Sequence, residues 1–384
     1  MRSTSTLREA CERIDYGLTL SATDEPIGPR FLRITDIDST HVDWGSVPYC
    51  DASEAEAVKY ALTDGDIVVA RTGASTGRSQ FIAVAEPAVF ASYLVRFRVT
   101  SHFEARFISY VLQSNLWSQY VLSVAHGKSA QPNMSARDMG DFVFEHPSLS
   151  EQTAIAEVLG ALDDKIAVNT EVVQTIESLT HAIYTRGLAG YEMAPLSATA
   201  DFVNGKAFTK GASGTGRVVL RIAELNSGLG GSTVYSDVEV EEKHIARPGD
   251  ILFAWSGSLT LSRWYRDDAI VNQHIFKVIP KAGYPSWLVY QLIRAKLAEF
   301  KSIAADKATT MGHIQRHHLD QSVAIPSQEE IVRMDAVMSP LWQNGLVAEQ
   351  ESLKLAELRD TLLPELMSGT LRVKDAEKKI EEVV

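Results

Sequence analysis

The sequence has only two cysteines, Cys11 and Cys50, among its 384 residues. They are too few for a disulfide framework and lack the paired spacing of a structural zinc site, so we expect both to be packing residues. No apolar run approaches the eighteen or so residues of a membrane span. The N-terminal stretch MRSTSTLREACERID has no apolar segment behind its arginine. We therefore expect a cytosolic protein that does not associate with a membrane.

The sequence also lacks an excess of basic residues, because its formal net charge is −12. Such a balance ordinarily argues against a nucleic-acid ligand. Half or more of the acidic excess, however, falls in the stretches 150–186 and 328–384, which the periodicity described below predicts to be helical. The net charge therefore does not exclude nucleic acid as a ligand of the other segments. The length predicts two or more domains.

A nucleotide-binding motif is missing as well, although DGDIVVARTGASTGRSQ at 64–80 begins like one. A phosphate loop needs four residues between its glycines and then a lysine, so that backbone N–H groups and an ammonium converge on the phosphates. Three residues separate Gly73 from Gly77, and Arg78 follows. The stretch therefore does not predict a nucleotide site, and no cofactor is expected.

The chain contains a long internal repeat. ARPGDILFAWSGSLTLSRW at 246–264 matches the stretch around Gly65, Asp66 and Gly73 through Gly249, Asp250 and Gly257. Upstream, RIDYGLTL and FLRITDID match FVNGKAFT and VLRIAELN, and downstream VFASYLVRFRV matches AIVNQHIFKVI. The order is kept throughout at offsets near 180 residues. A repeat of this length indicates a duplicated domain. By residue count, Leu261 in the second copy falls at the position of Gly77, and Trp255 falls at the position of Arg71. Two copies with such different loop residues are hard to reconcile with two nucleotide sites.

Each copy begins with a globular part that mixes α and β structure. The β-rich runs DIVVA, YLVRFRV, DILFAW and HIFKVI are accompanied by Gly-Asp turns, and helices are predicted over 103–122 and 286–304.

Each globular part is followed by a predicted coiled-coil helix. Apolar residues repeat every seven positions after Pro147, without glycine between Gly160 and Gly187, and the pattern returns less regularly after Pro326. Pro340 and Gly345 interrupt the second stretch, so we expect a kink or break there. The seam residues are Ile155, Leu159, Leu162, Ile166, Val173, Ile176 and Ile183 in the first stretch and Met334, Met338, Leu341, Leu355 and Leu362 in the second.

Asn169 lies in the first apolar seam. It either fixes the register of the helix pair at some cost in stability, or lies where the helix turns enough to expose it.

The two helices should pack on each other, because a single amphipathic helix of roughly 55 Å would leave its apolar stripe in water. The first runs from the first globular part to the second, so the second must run back antiparallel to cover the same stripe. We therefore expect two globular parts related by an approximate twofold axis and held at a fixed separation. Such a pair suits a duplex ligand, in which half-sites one helical turn apart present the same groove face.

Taken together, these segments resemble the DNA-specificity subunit of type I restriction-modification systems. The segments that carry the resemblance are PSLSEQTAIAEVLGALDDKI, GDIVVARTGASTGR and its equivalent in the second copy GDILFAWSG, GKSAQPNMS, LRIAELN and LLPELMSGTLRV. The resemblance covers nearly the whole chain. It implies an α+β fold of two duplicated mixed α/β target-recognition domains separated by two long antiparallel coiled-coil helices. The expected boundaries are 1–149 and 187–327 for the recognition domains, 150–186 and 328–370 for the helical spacers, and 371–384 for a charged tail.

The resemblance also implies a function and partners. It implies a non-catalytic subunit whose two domains read the two halves of an interrupted, asymmetric site in double-stranded DNA, with the helices setting the gap. The implied protein partners are two methyltransferase subunits and, in the complete complex, motor-nuclease subunits. The chain departs from the family pattern at Ile331, where glutamine is usual, and at Pro340.

Residues that differ between equivalent loops are the candidate DNA contacts, whereas residues shared by both copies are expected to be scaffold. Base edges are read by hydrogen-bonding side chains, and other basic groups contact phosphate. The candidates are Thr19, Arg71, Thr72, Ser75, Thr76, Arg78, Lys128, Gln131 and Asn133 in the first copy and Lys206, Ser256, Ser258, Arg263, Lys307, Thr309, Thr310 and His313 in the second. A solvated loop is the competing interpretation for each of them.

Other interpretations remain open at this point. A coiled-coil assembly scaffold with degenerate recognition domains is the alternative function, and a self-contained enzyme on DNA is a third. Asp66 and Asp250 could be catalytic acids, although aspartates that cap turns are commoner after glycine. His313, His317 and His318 could suggest a metal, but without a cysteine or a third spaced ligand no metal site is predicted. Trp255 and Trp264 are expected in the core, and Arg33 and Arg221 in structural ion pairs.

Overall fold

The computed structural model describes residues 2–37, 41–125, 132–187, 191–306 and 312–382. The chain divides into two compact units. Unit 1 comprises Met1–Ala167 and Leu355–Val384, and unit 2 comprises Val168–Lys354. Each long helix contributes one part to each unit.

Unit 1 is built on a four-stranded antiparallel sheet of order β2-β7-β4-β5, with a parallel pair β3-β6 and an antiparallel pair β1-β8 beside it. Its strands are β1 (Ser3–Thr6), β2 (Cys11–Tyr16), β3 (Arg30–Leu32), β4 (Ile67–Ala70), β5 (Ser79–Phe81), β6 (Ala88–Phe90), β7 (Leu94–Val99) and β8 (Val143–His146). Its helices are α1 (Glu54–Lys59), α2 (Ala105–Val111), α3 (Asn115–Ala125), α4 (Ala136–Gly140) and the beginning of α5 (Leu149–Gly187).

Unit 2 repeats this plan with a four-stranded antiparallel sheet of order β10-β17-β14-β15, a parallel pair β11-β16 and an antiparallel pair β9-β18. Its strands are β9 (Tyr191–Pro195), β10 (Ala200–Asn204), β11 (Arg217–Leu220), β12 (Val234–Ser236), β13 (Ile245–Ala246), β14 (Ile251–Ala254), β15 (Leu261–Arg263), β16 (Ala269–Val271), β17 (Ile275–Pro280) and β18 (Ser322–Pro326). The remaining helices of the chain are α6 (Ile222–Ser227), α7 (Ser286–Asp306), α8 (Gln328–Ser368) and α9 (Val373–Glu381), of which α9 belongs to unit 1.

The duplication predicted from the sequence is confirmed strand by strand. Ile67 pairs with Phe97 in unit 1, and Ile251 pairs with Val278 at the same strand positions in unit 2. Unit 2 adds the short strands β12 and β13 at the two edges of its parallel pair. The fold is therefore α+β, with the same four-stranded antiparallel sheet and neighbouring parallel pair built twice.

A pair of equivalent glycines shows why the two copies keep the same frame. A Cβ atom on Gly17 would lie 2.2 Å from the carbonyl oxygen of Ala91, and one on Gly205 would lie 2.1 Å from that of Asn272. These distances are shorter than any real Cβ contact, so the two strands can pass each other only at glycine.

Helices α5 and α8 pack antiparallel, as predicted. In unit 2, Asn169 of α5 bonds Glu351 of α8, and near the other end of the same helix pair Gly187 lies against Met334. In unit 1, the Arg359 guanidinium donates to Asp163 at 2.8 Å. The predicted seam residues are buried or half-buried throughout. Each unit thus contains one part of a single antiparallel helix pair.

Asn169 is buried, at 3% exposure, and its Nδ2 donates to Glu351 Oε2 at 2.8 Å. The interpretation that the helix turns to expose it is wrong. A buried amide paired with one acidic residue of the facing helix is the arrangement expected of a register-fixing position.

The structure adds detail to three of the helical segments. The predicted helix over 103–122 is two helices, α2 and α3, because the Ser114 hydroxyl accepts the amide of Trp117 and starts a new helix. The break expected near Pro340 and Gly345 is absent, since α8 continues through both residues. The charged segment after 371 forms α9, and its Ala376 is buried in the core of unit 1.

Candidate nucleic-acid interface

The two loops that the sequence singles out in each copy meet in the structure. In unit 1, Thr72 forms an isolated β-bridge with Asn133, and the Gly73 amide donates to Pro132 O at 3.0 Å. In unit 2, Ser256 bridges His313, and the Gly257 amide donates to Gly312 O at 2.9 Å. The loop that follows the Gly-Asp strand and the loop that precedes the closing strand therefore form one surface in each unit.

Two further strands contribute to this surface. The amide of Arg71 donates to Tyr93 O, and that of Trp255 donates to His274 O, each at 3.0 Å. The last residues of β2 and β10, before the close-packed glycines, are Tyr16 and Asn204. We call surface 1 the set Tyr16, Arg71, Thr72, Tyr93 and Asn133, and surface 2 the equivalent set Asn204, Trp255, Ser256, His274 and His313. The two surfaces share their backbone pairing and differ in residue type at every position.

Surface 1 is organised around Arg71. Its guanidinium lies over the ring of Tyr16, 4.7 Å from the ring centroid, and its Nη2 is 3.5 Å from Asn133 Oδ1. The Tyr16 hydroxyl accepts the backbone amide of Ala136 at 2.9 Å, which fixes the ring. Tyr16, Tyr93 and Asn133 are exposed. The result is an oriented cation at the surface with an aromatic ring behind it.

Surface 2 is aromatic and imidazole-rich. Trp255 Nε1 donates to Asn204 Oδ1 at 2.8 Å, and its ring lies 4.9 Å from that of His274 and 6.3 Å from that of His313. These rings line an open cleft of about 520 Å³. His274 has a φ of 74°, an uncommon conformation for a residue other than glycine, and its buried Nδ1 has no hydrogen-bond partner among the described residues. Strained backbone of this kind occurs often at ligand sites.

The loop lengths correct one alignment made from the sequence. Val69 pairs with Ser79 across the first hairpin, and Phe253 pairs with Leu261 across the second. Leu261 is therefore equivalent to Ser79 and not to Gly77, because the second hairpin loop is two residues shorter.

Several other predicted contact residues lie outside surfaces 1 and 2, and some of them bond neighbouring residues of the protein. The Thr76 hydroxyl donates to Gly73 O at 2.7 Å, inside the loop. Ser258 bonds Asn226 beside surface 2, at 2.9 Å. Lys206 pairs with Glu241 at 3.2 Å. Thr19 and Arg78 are exposed and Ser75 is half-buried. Lys128, Gln131, Lys307, Thr309 and Thr310 lie outside the described residues.

The structure assigns Arg263 to a contact other than the predicted one. Its side chain is 9% exposed, forms an ion pair with Glu349 at 2.8 Å and donates to Trp342 O at 2.7 Å. It also stacks on the Trp342 ring at 4.6 Å. Burial raises the pKa of the Glu349 carboxyl to about 7, against the opposing effect of Arg263. Arg263 therefore holds β15 to α8 within unit 2.

The aspartates considered as catalytic acids are structural. Asp66 is 1% exposed and receives hydrogen bonds from the Thr63 amide at 2.9 Å and Arg98 at 2.7 Å. Asp250 accepts a hydrogen bond from the Arg247 amide at 2.7 Å and forms an ion pair with Lys277 at 2.9 Å. Both carboxylates close the Gly-Asp turn and tie it to the neighbouring strand.

The expected ion pairs of the shared arginines are present. Arg33 pairs with Asp36 at 2.8 Å, and the Arg221 amide and guanidinium both bond Glu224. The Arg221 guanidinium and this backbone amide hold the pKa of the Glu224 carboxyl below its usual range against the effect of burial. Trp264 is buried as expected, whereas Trp255 is half-buried in the cleft.

Within the part of the chain that the structure describes, no group of histidine, cysteine, aspartate and glutamate could hold a metal ion. His318 Nδ1 instead accepts the Gln315 amide at 2.8 Å. Over the same residues, no helix combines the length and the apolar content needed to cross a bilayer.

Sequence reasoning missed Tyr16, Tyr93, Asn204 and His274. The signal was present in the repeat, because Tyr16 and Asn204 directly precede the paired glycines Gly17 and Gly205. Strand pairing, which the repeat alone does not give, brings them to the loops.

Comparison with known proteins agrees with this architecture. Residues 38–178 match the family model described as the type I restriction modification DNA specificity domain. The EcoKI specificity subunit of Escherichia coli K12 is 25% identical over 187 residues, which are 45% of this chain and 39% of that protein. The MjaIX specificity subunit of Methanocaldococcus jannaschii is 20% identical over 309 residues, which are 71% of this chain and 70% of that protein.

The fold also matches that of a solved structure, the S subunit of a type I restriction-modification system from M. genitalium. The match covers 95% of this chain and 96% of the chain in that structure, with a TM-score of 0.59 and 13% sequence identity. At this identity the likeness concerns the fold. In its sequence matches the chain is thus similar to type I restriction-modification DNA specificity subunits, and in its duplicated sheet and antiparallel helix pair it shares the fold of one such subunit.

Proposed function

We propose that the chain gives a DNA methyltransferase its target sequence by reading an interrupted, asymmetric site in double-stranded DNA. Surface 1 contacts one half of the site and surface 2 contacts the other. One observation carries this proposal: the same loop-on-strand scaffold occurs twice, with different side chains at all five positions of the surfaces. Two copies with one frame and unlike reading groups suit two unlike half-sites.

The charge distribution sets the conditions under which this binding works. The net charge of −12 itself gives the isolated chain no long-range attraction for DNA. We therefore propose that basic groups on the partner subunits supplement the specific contacts through surfaces 1 and 2. Binding by the complex should then weaken as salt rises, because phosphate contacts release counterions.

The proposed function is non-catalytic. The proposed location of the protein is the cytosol. Asp66 bonds Arg98 and Asp250 pairs with Lys277, so both carboxylates have structural partners. The proposed partners are two methyltransferase subunits and, in the complete complex, motor-nuclease subunits.

A second apolar stripe on α5 supports docking of a partner helix. Val168, Val172 and Leu179 are 52%, 40% and 46% exposed and fall within one narrow sector of the helix. This sector lies roughly a quarter-turn from the seam that packs on α8. An exposed apolar stripe of this kind is a typical docking site for an amphipathic helix.

The test is genome-wide mapping of modified adenines after the full chain is expressed with its methyltransferase subunits. One interrupted motif with unlike halves is expected. A continuous palindrome, or no motif at all, would contradict the proposal. Binding of the assembled complex to target and scrambled duplexes across a salt series separates DNA reading from the scaffold alternative, for which the two duplexes would bind equally.

A further inference from the structure

The backbone of Arg71 is fixed on both sides. Its amide donates to Tyr93 O at 3.0 Å, and its carbonyl oxygen accepts the Met134 amide at 2.9 Å. The residue therefore lies where β4, β7 and the second loop meet. Its side chain starts from a rigid element, which is what precise reading of a ligand requires.

The guanidinium of Arg71 is oriented but incompletely satisfied. It stacks on Tyr16, and the 3.5 Å contact with Asn133 is its one hydrogen bond to a side chain among the described residues. Its Nε is buried and has no partner in that part of the chain. An arginine has five N–H donors, and donors left unpaired in a half-buried site are costly. Apart from the Asn133 contact, the Nη donors have no acceptor among the residues that the structure describes, so they suit an external acceptor.

We propose that Arg71 reads a guanine in the DNA half-site of unit 1 by donating from its two Nη groups to O6 and N7. The inference rests on the proposed function and specifies the base that surface 1 recognises. Guanine presents two adjacent acceptors in the major groove, and a planar guanidinium matches them in a bidentate pair.

A base fits these observations better than a phosphate. Phosphate contacts position a protein without carrying sequence information, so equivalent sites in the two copies would have no reason to differ. The equivalent residue in unit 2 is Trp255, which has no cation to offer. In addition, stacking on Tyr16 restricts the guanidinium plane, which a phosphate contact does not need.

Unit 2 consequently reads its half-site by different chemistry at this position. The Nε1 of Trp255 donates its hydrogen bond to Asn204, so the residue lines the cleft with its ring and offers no further donor there. Arg71 and Trp255 thus give an internal comparison: the same backbone position with and without a guanidinium.

The experiment is modification mapping with the full chain and its methyltransferase subunits, comparing wild type with Arg71→Gln and Arg71→Lys. Wild type should give a motif that contains at least one guanine in one half. Arg71→Gln should lower discrimination at a single guanine by roughly 5- to 150-fold and leave the other half unchanged. Arg71→Lys should retain more discrimination than Arg71→Gln, because lysine can still donate to guanine.

Two controls make the result specific. Arg13→Gln removes the same charge at an exposed arginine on β2 outside surface 1 and should leave the motif unchanged. Thermal melting of each variant separates loss of reading from loss of folding.

The remaining outcomes overturn the inference in different ways. A uniform fall in modification with an unchanged motif would identify Arg71 as a phosphate contact. Relaxation at an A·T pair would exclude guanine as its base. If wild type gives no motif, the proposed function fails and this inference fails with it.

Discussion

Residues common to the two copies form the frame, and this could be predicted from the sequence alone. Gly65 and Gly249 have φ values of 85° and 93°, and Gly73 and Gly257 have values of 75° and 68°. This is the left-handed region that glycine enters without strain. The side chains that the frame presents were only partly predictable, since Tyr93 and His274 reach the surfaces through strand pairing.

The difference between Gln152 in the first copy and Ile331 in the second also has an explanation at this scale. In unit 1, the equivalent Gln152 is 1% exposed, accepts the Glu104 amide and donates to Pro147 O. In unit 2, Ile331 is 3% exposed within an apolar cluster. One position holds a loop by hydrogen bonds and the other by apolar packing.

Substitution of Gly205 by alanine should be strongly destabilising. Its Cβ would lie 2.1 Å from the backbone oxygen of Asn272, so the two backbone segments would have to move apart. We expect a loss of roughly 3 kcal/mol in the free energy of unfolding, measured in urea. Gly230→Ala is the matched control, because a Cβ there meets nothing within 4 Å. Equal effects of the two substitutions would contradict this close approach.

Glu349 predicts a dependence of stability on pH. Burial raises its pKa from 4.5 to about 7 in the folded chain. The folded state therefore binds more protons at Glu349 than the unfolded state between these values, so the contribution of Glu349 to stability is fully present below pH 4.5 and is lost as pH rises through about 7. Chemical unfolding of wild type and Glu349→Gln from pH 5 to 8 should show this contribution as the difference between the two pH profiles. Stability should fall less with rising pH in Glu349→Gln than in wild type, and equal slopes would contradict the assignment.

At the scale of elements, periodicity predicted the long helices within one or two residues at each end. Helix α5 runs Leu149–Gly187 where 150–186 was expected. The predicted break in α8 was wrong, because burial of its apolar stripe outweighs the local cost of proline and glycine. Gly345 has a packing reason: a Cβ there would lie 2.7 Å from Arg263 Nη2. The glycine makes room for the arginine that holds β15.

The exposed stripe of α5 gives a prediction about assembly. Leu179→Lys places a charge on this stripe and should weaken copurification of the methyltransferase subunits by roughly tenfold or more. Ser178→Lys adds the same side chain to an exposed position on another side of the helix and should have little effect. Equal copurification of both variants with wild type would exclude the stripe as the docking surface.

At the scale of the whole molecule, the sequence predicted the duplication and the antiparallel helices, because both follow from patterns that repeat along the chain. The separation of the two recognition parts stays a prediction, as does the gap that it would set in the DNA. The detailed chemistry of each surface could not be predicted, since it depends on which strand ends meet the loops.

The central claim is that two unlike surfaces on one duplicated scaffold read two halves of one DNA site. The most direct measurement is motif mapping with three full-length chains: wild type, a surface 1 variant (Arg71→Gln with Asn133→Ala) and a surface 2 variant (Trp255→Ala with His313→Ala). Each variant should relax or change only one half of the motif, a different half in each case, and leave the gap unchanged. Changes in both halves from either variant, or in neither half from both, would contradict the account.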